Sequence, residues 1–224
     1  MPKSKSFNSI SRLILDRWLA TSRETPADAE SIYRGTLDDL SIRMRITQYF
    51  PTDGDPLDWR MKPIRHNGGI TRVPGFRNLF IEGKIGEFRD REYVQTALIP
   101  SLSEVVRTQS FSIEVVKSKL IGFTVVYDRI MLPQRHPLRP EWVLSLTSAR
   151  LLVSDAGGGQ NDVFDDLIVQ FLTEGLSAKE IAAQSDMSQR TIEHRIERMK
   201  ERHGARNITH LVAMMVAANL AGKE

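Results

Sequence analysis

The stretch Glu174-Gly-Leu-Ser-Ala-Lys-Glu-Ile-Ala-Ala183, followed by Met187-Ser-Gln-Arg-Thr-Ile192 and Gly204-Ala-Arg-Asn207, decides the C-terminal fold. Its residues punctuate helices. Glycine enters the left-handed region without a Cβ penalty, so Gly175 is expected to end one helix. Ser177 with Glu180 three residues later is a capping box that opens a second helix, whose Ile181 and Ala182 face inward where two helices cross closely. Ser188 caps a third helix, predicted over Gln189–His203, with Thr191 in its first turn. At 100° per residue, Ile192, Ile196, Met199 and His203 fall within about 60° of one another and form a buried stripe. Arg190, Glu193, His194, Glu197 and Glu201 fall on the opposite, polar face.

Those residues resemble the LuxR-type helix-turn-helix family, whose pattern runs EGxSxKEIA, then (I/L)SxxTV, then LGVxN. The resemblance covers about Val163 to Leu220. It implies an all-α four-helix domain over 163–224, double-stranded DNA as partner, and Gln189–His203 as the recognition helix. A major groove admits one helix and presents base edges to its N-terminal residues. Gln189, Arg190, Glu193 and His194 are therefore expected at base edges. Lys179, Ser188, Thr191, Arg195, Arg198 and Arg202 flank that face and are expected at phosphates.

The sequence also departs from the family. The usual Leu-Thr-x-Arg-Glu opening is replaced by Asn161-Asp-Val-Phe-Asp165, with Asp165 at the place of the glutamate, and Glu193 replaces a basic residue on the recognition face. Charge sharpens the point. The chain carries a net charge of +3, but residues 161–224 hold 8 Lys/Arg against 10 Asp/Glu, so the basic excess lies upstream. Glu193, Glu197 and Glu201 form an acidic row at i, i+4 spacing that repels phosphates. Glu193 has three readings at this stage: it accepts from a cytosine N4, it orients Arg190, or it is an exposed side chain.

The segment from Ile208 to Leu220 holds Ile208, Leu211, Val212, Met214, Met215, Val216 and Leu220 with three alanines. A helix apolar on nearly every side is buried all round or paired, and in a domain this small pairing is expected. The equivalent helix of LuxR-type regulators forms the two-fold contact. The resemblance thus implies a homodimer held by Leu211, Val212, Met215 and Ala218, with Trp18 near the N-terminus supplying a second contact.

Upstream of this module, Ser154-Asp-Ala-Gly-Gly-Gly-Gln-Asn-Asp162 carries three consecutive glycines and reads as a linker over 154–162. Residues 1–31 read as an amphipathic helix and its connection, with Phe7, Ile10, Leu13, Ile14 and Trp18 at helical spacing. Residues 32–153 read as strands broken by turn signals: 42–50, 59–64, 112–120, 123–132 and 141–153. In the fourth, Phe123, Val125, Tyr127 and Met131 alternate with Thr124, Val126, Asp128 and Ile130, the period of a strand. Between the second and third, 90–108 reads as a helix with Asp90 as N-cap, and Pro100 kinks or splits it. Helices between an early hairpin and three later antiparallel strands resemble a PAS-type sensor domain. The carrying residues are Asp53-Gly-Asp-Pro-Leu-Asp-Trp59, Asp90-Arg-Glu-Tyr93 and Val125-Val-Tyr-Asp-Arg-Ile-Met-Leu-Pro133. The fold class is α+β: a PAS-like antiparallel sheet with helices, linked to the helical module.

Composition and motifs exclude other classes. With 41% hydrophobic and 26% charged residues the chain is globular, and without cysteine it has no disulfide, thiolate metal site or cysteine nucleophile. Arg12, Asp16 and Arg17 interrupt the N-terminal apolar run, so it is neither a secretion signal nor a membrane span, and a cytoplasmic protein without membrane partners is expected. HExxH, GxSxG and P-loop patterns are absent, as is the early acidic pair of a receiver domain; the reading is not an enzyme. No cofactor or metal site is evident, and His66 and His136 read as loop residues rather than haem ligands. An acyl-homoserine-lactone domain competes with PAS but lacks its Trp-x-x-x-Tyr spacing here. Asp128 and Arg129, inside a strand, read as an inter-strand ion pair or as a pocket or partner contact. The N-terminal domain is expected to sense a small molecule, to dimerise or to dock a protein. A further reading is an interaction adaptor whose degenerate helix-turn-helix binds DNA weakly.

Overall fold

A computed structural model of the chain describes residues 5–66, 81–154, 163–185 and 187–221. Six strands form one antiparallel sheet: β1 (Met44–Phe50), β2 (Arg60–His66), β3 (Gly83–Lys84), β4 (Ser112–Leu120), β5 (Phe123–Pro133) and β6 (Val143–Ser154). Their order is β3-β2-β1-β6-β5-β4, so β1 and β6, distant in sequence, lie side by side at the centre. The expected strands all form, with ends displaced by two residues at most.

Strand alternation distributes the side chains over two cores, because successive residues point to opposite faces. On one face α1 (Phe7–Leu19) and α2 (Ala29–Tyr33) cover Met44, Ile46, Ile130, Leu132, Leu144 and Leu146. Helix α1 buries Phe7, Ile10, Ile14 and Trp18, the spacing expected of its amphipathic pattern. The Trp18 indole N–H donates to the Pro133 carbonyl, which fixes the helix to the end of β5. The opposite face carries Tyr49, Tyr127, Met131 and Val143 beneath Val94, Leu98, Leu102 and Val105.

Those last four residues belong to one helical run with three parts: α3 (Arg91–Tyr93), a π turn (Val94–Leu98) and α4 (Ile99–Thr108). Asp90 caps the start, accepting from the Tyr93 amide at 2.9 Å. The run changes at Pro100, where the sequence marks a break: Pro100 occupies the first turn of α4, where its missing N–H costs nothing, and a π turn immediately precedes that helix. The second carboxylate oxygen of Asp90 accepts from the Ile121 amide at 2.6 Å and ties the helix start to the β4–β5 hairpin.

Asp128 and Arg129 divide between the two sheet faces. Asp128 pairs with Arg150 across the β5–β6 register, whereas Arg129 is only 2% exposed and lies on the face under α4. His136 is used by its own loop, its Nδ1 accepting from the amides of Leu138 and Arg139. Among the described residues no helix is long and apolar enough to cross a membrane.

The C-terminal part consists of α5 (Val163–Thr173), α6 (Ala178–Ser185), α7 (Gln189–His203) and α8 (Ile208–Ala221). Ile168, Phe171, Ile181, Ile192, Ile196, Met199 and Leu211 form its core. Of the expected linker, all but Ser154, the last residue of β6, lies outside the described residues.

Candidate nucleic-acid interface

Local sequence sets each helix boundary here. After α5 the Gly175 amide donates to Leu172 and the Leu176 amide to Phe171, with Gly175 at φ +85°; after α7 Gly204 and Ala205 repeat the motif at φ +64°. Both are Schellman ends, which a Cβ at the left-handed position would strain. The capping box closes reciprocally: the Ser177 amide donates to Glu180 at 2.8 Å and the Glu180 amide to the Ser177 hydroxyl at 3.3 Å. Hydrogen bonds from the Ser177 hydroxyl and amide hold the Glu180 carboxyl below its ordinary value. Ser188 caps α7, accepting from the Thr191 amide at 3.0 Å. The expected stripe of α7 packs inward through Ile192, Ile196 and Met199, with His203 half-buried.

Burying that stripe leaves the opposite face of α7 in solvent. Gln189, Arg190, Glu193, His194 and Arg198 are all exposed, as are Lys179 at the start of α6 and the capping pair Ser188 and Thr191. The four residues expected at base edges thus share the exposed N-terminal half of one helix. Glu193 has a specific partner: it accepts from the Gln189 side-chain amide at 2.7 Å, one helical turn earlier. The residue it orients is therefore Gln189, not Arg190. Farther along, Glu197 pairs with Lys200 at 2.7 Å, which offsets part of the acidic row.

Arg195 and Arg202 lie beside a carboxylate of the same domain. Arg195 places Nη1 2.7 Å from the Asp165 carboxylate, and Arg202 lies 3.7 Å from its other oxygen. Asp165 is buried in α5, and the Arg195 side chain is only 21% exposed. A buried carboxylate requires compensating cations, so these two guanidinia are drawn toward α5. The sequence had marked Asp165 as the glutamate equivalent without revealing this use.

Among the residues expected at a dimer contact, Leu211 is buried inside the helical core, Val212 and Met215 are half-buried, and Trp18 is in the sheet core. The Ala218 side chain lies outside the described residues. Helix α8 exposes Ile208, Met214 and Val216 instead.

One contact had no signal in the sequence. Phe164 at the start of α5 is 1% exposed and, with Leu167, belongs to the sheet core rather than the helical one. The Arg43 guanidinium stands 4.7 Å from its ring centroid and is itself held by the carbonyls of Ala149 and Arg150. The Ile42 amide donates to the Gln184 carbonyl at 3.0 Å, joining the entry to β1 with the end of α6. Phe164, Leu167, Ile168 and Phe171 form a continuous apolar stripe, and nothing in its spacing marks where it passes from one core to the other.

Residues 166–215 match the family model GerE, bacterial regulatory proteins, luxR family. No curated protein matches the chain. Among solved structures, "Crystal structure of the phage VqmA-DPO complex" aligns at 17% identity over 78% of this chain and 83% of that one, with a TM-score of 0.30. "VqmA bound to DPO" aligns at 12% identity over 68% and 72%, with a TM-score of 0.27. The caps, the glycine ends, the buried stripe and the family match coincide on the same helices: residues 166–215 of this chain are a LuxR-family helix-turn-helix domain.

Proposed function

We propose that the chain is a dimeric, sequence-specific transcription regulator that reads DNA through α7 and couples this to a PAS-like domain over residues 32–153 that senses a signal. The observation that carries the reading is the exposed N-terminal half of α7, where Gln189, Arg190, Glu193 and His194 project from a helix anchored by Ile192, Ile196 and Met199. Base contacts fall to those four residues. Lys179, Ser188, Thr191 and Arg198 contact phosphates, and Arg195 and Arg202 act by fixing α7 to Asp165. The PAS-like reading is supported by the sheet order, in which the first and last long strands are central neighbours and the helical run lies between the hairpin and the last three strands. Pairing through α8 is supported by its exposed Ile208, Met214 and Val216.

A second reading, an interaction adaptor with weak DNA affinity, is favoured by the two arginines committed to Asp165, since fewer cations remain for phosphates. One experiment separates the two. Selection of bound sequences from a random duplex library, followed by titration of the selected DNA, is expected to return two related half-sites and an affinity falling steeply from about 50 to about 200 mM salt. Absence of saturable binding at any salt removes the regulator reading; a single half-site and a monomer in gel filtration remove the dimer.

A further inference from the structure

The exposed face of α7 opens on a coupled pair. Gln189 is the first residue after the Ser188 cap and Glu193 stands one turn later; both side chains are exposed, and Gln189 Nε2 donates to Glu193 Oε1 at 2.7 Å. A carboxylate on a face presented to DNA is repelled by phosphates unless something on that face uses it. Glu197 is compensated by Lys200, whereas Glu193 is engaged by a neutral amide. A basic side chain at this place, as in the family pattern, could not accept from Gln189 at all.

The consequence of that bond is a fixed orientation. A glutamine amide carries one carbonyl acceptor and two N–H donors, and when free it turns to present either an acceptor beside a donor or its two donors. An ionised carboxylate only accepts, so the Nε2 end must face Glu193 and the amide cannot flip. With the N–H trans to the carbonyl spent on Glu193, the remaining edge is Oε1 beside the cis N–H. Adenine complements that edge in the major groove, with a donor at N6 and an acceptor at N7. Guanine does not: its O6 and N7 both accept, and O6 would meet Oε1.

We propose that Gln189, braced by Glu193, reads an adenine, Oε1 accepting from N6 and Nε2 donating to N7, and that Glu193 acts at this base pair as a positioning residue that excludes guanine. The proposal rests on the DNA-binding reading above and names one base of the target. The place of the pair suits the role, because the N-terminal residues of a recognition helix are those that reach base edges.

The test is a selection of bound duplexes from a random library by the full-length wild type, Gln189→Ala, Glu193→Ala and Glu193→Gln. The wild type is expected to return adenine at one fixed position of each half-site, whether one half-site or two are found. Gln189→Ala should lose the preference at that position alone and bind the wild-type sequence on the order of tenfold more weakly, the scale of one bidentate base contact. Glu193→Ala frees the amide and should admit guanine as well as adenine there. Glu193→Gln keeps an acceptor at the same place and should restore adenine. The two Glu193 variants lose the same charge, so a difference between them reports the acceptor and not the removal of repulsion. Both positions are exposed and outside the helical core, so all variants should melt as the wild type does. If no position shows adenine in the wild type and loses it in Gln189→Ala, the proposal fails while the regulator stands; it fails equally if Glu193→Ala holds adenine as strictly as the wild type. Absence of saturable binding at any salt removes the regulator reading and this proposal together.

Discussion

Asp165 shows how one side chain can decide the behaviour of others far from it in sequence. It is buried at the start of α5 and holds Arg195 thirty residues away, so the guanidinium that looks from the sequence like a phosphate contact becomes a brace for α7. Asp165→Ala should destabilise the helical domain by about 2 kcal/mol, the scale of a lost charged hydrogen bond, and chemical denaturation would show it. Glu193 acts at shorter range. Because it accepts from the Gln189 amide, Glu193→Ala frees Gln189 and should change base preference at one position per half-site. An unchanged preference in a library selection would remove that role. Glu180 supplies a pH dependence: its folded value lies below the unfolded one, so its stabilisation is fully present above the unfolded carboxylate range near pH ~4.3 and is lost as pH falls through the folded value. Melting curves of wild type and Glu180→Gln should therefore differ at neutral pH and converge in acid. The caps behind these predictions were legible because each is a local pattern of two or three residues. Asp165 was not, since its partners depend on how α5 crosses α7.

Elements were read well where one periodicity governs them. The range of α7 and of β4 follows directly from the apolar spacing and the flanking caps, and the alternation in β5 sorts Tyr127 and Met131 from Ile130 as expected. The π turn was not legible. A single proline signals a break, but not that the turn before it widens, which accompanies the packing of Val94, Leu98 and Leu102 on the sheet. Arg129 escaped for a similar reason: in the sequence it is a charge within a strand, and only the register that sets Glu114 opposite it and the helical run that lays Ala97 and Ser101 over it explain its burial. The π turn gives a prediction whose sign is informative. In an uninterrupted helix, replacing an interior proline with alanine would stabilise by about 3 kcal/mol. Here Pro100 sits in the first turn of α4 and its fixed φ suits that place, so Pro100→Ala should instead destabilise by about 0.5–1 kcal/mol through the freer unfolded chain. Equilibrium unfolding distinguishes the two signs.

At the scale of the whole molecule, the two cores meet at Phe164. The sequence reads as two units separated by a glycine-rich linker, but Phe164 and Leu167 of the second unit pack in the core of the first. Arg43, just before β1, covers the Phe164 ring and is held by the carbonyls of Ala149 and Arg150 in β6. The ring thereby ties α5 to the sheet, and α5 in turn holds α7 through Asp165. The contact is testable. Phe164→Ala should cost about 3–4 kcal/mol, the usual range for a buried phenylalanine. Because Phe164 lies outside the helical core, the loss should fall on the sheet domain and on the junction, so calorimetry is expected to show one transition for the wild type and two for the variant, the helical domain melting on its own. Ile196→Ala, inside the helical core, should instead lower the helical transition directly. A Phe164→Ala variant that melts in one transition at the wild-type temperature would mean that the two units are not coupled through this ring.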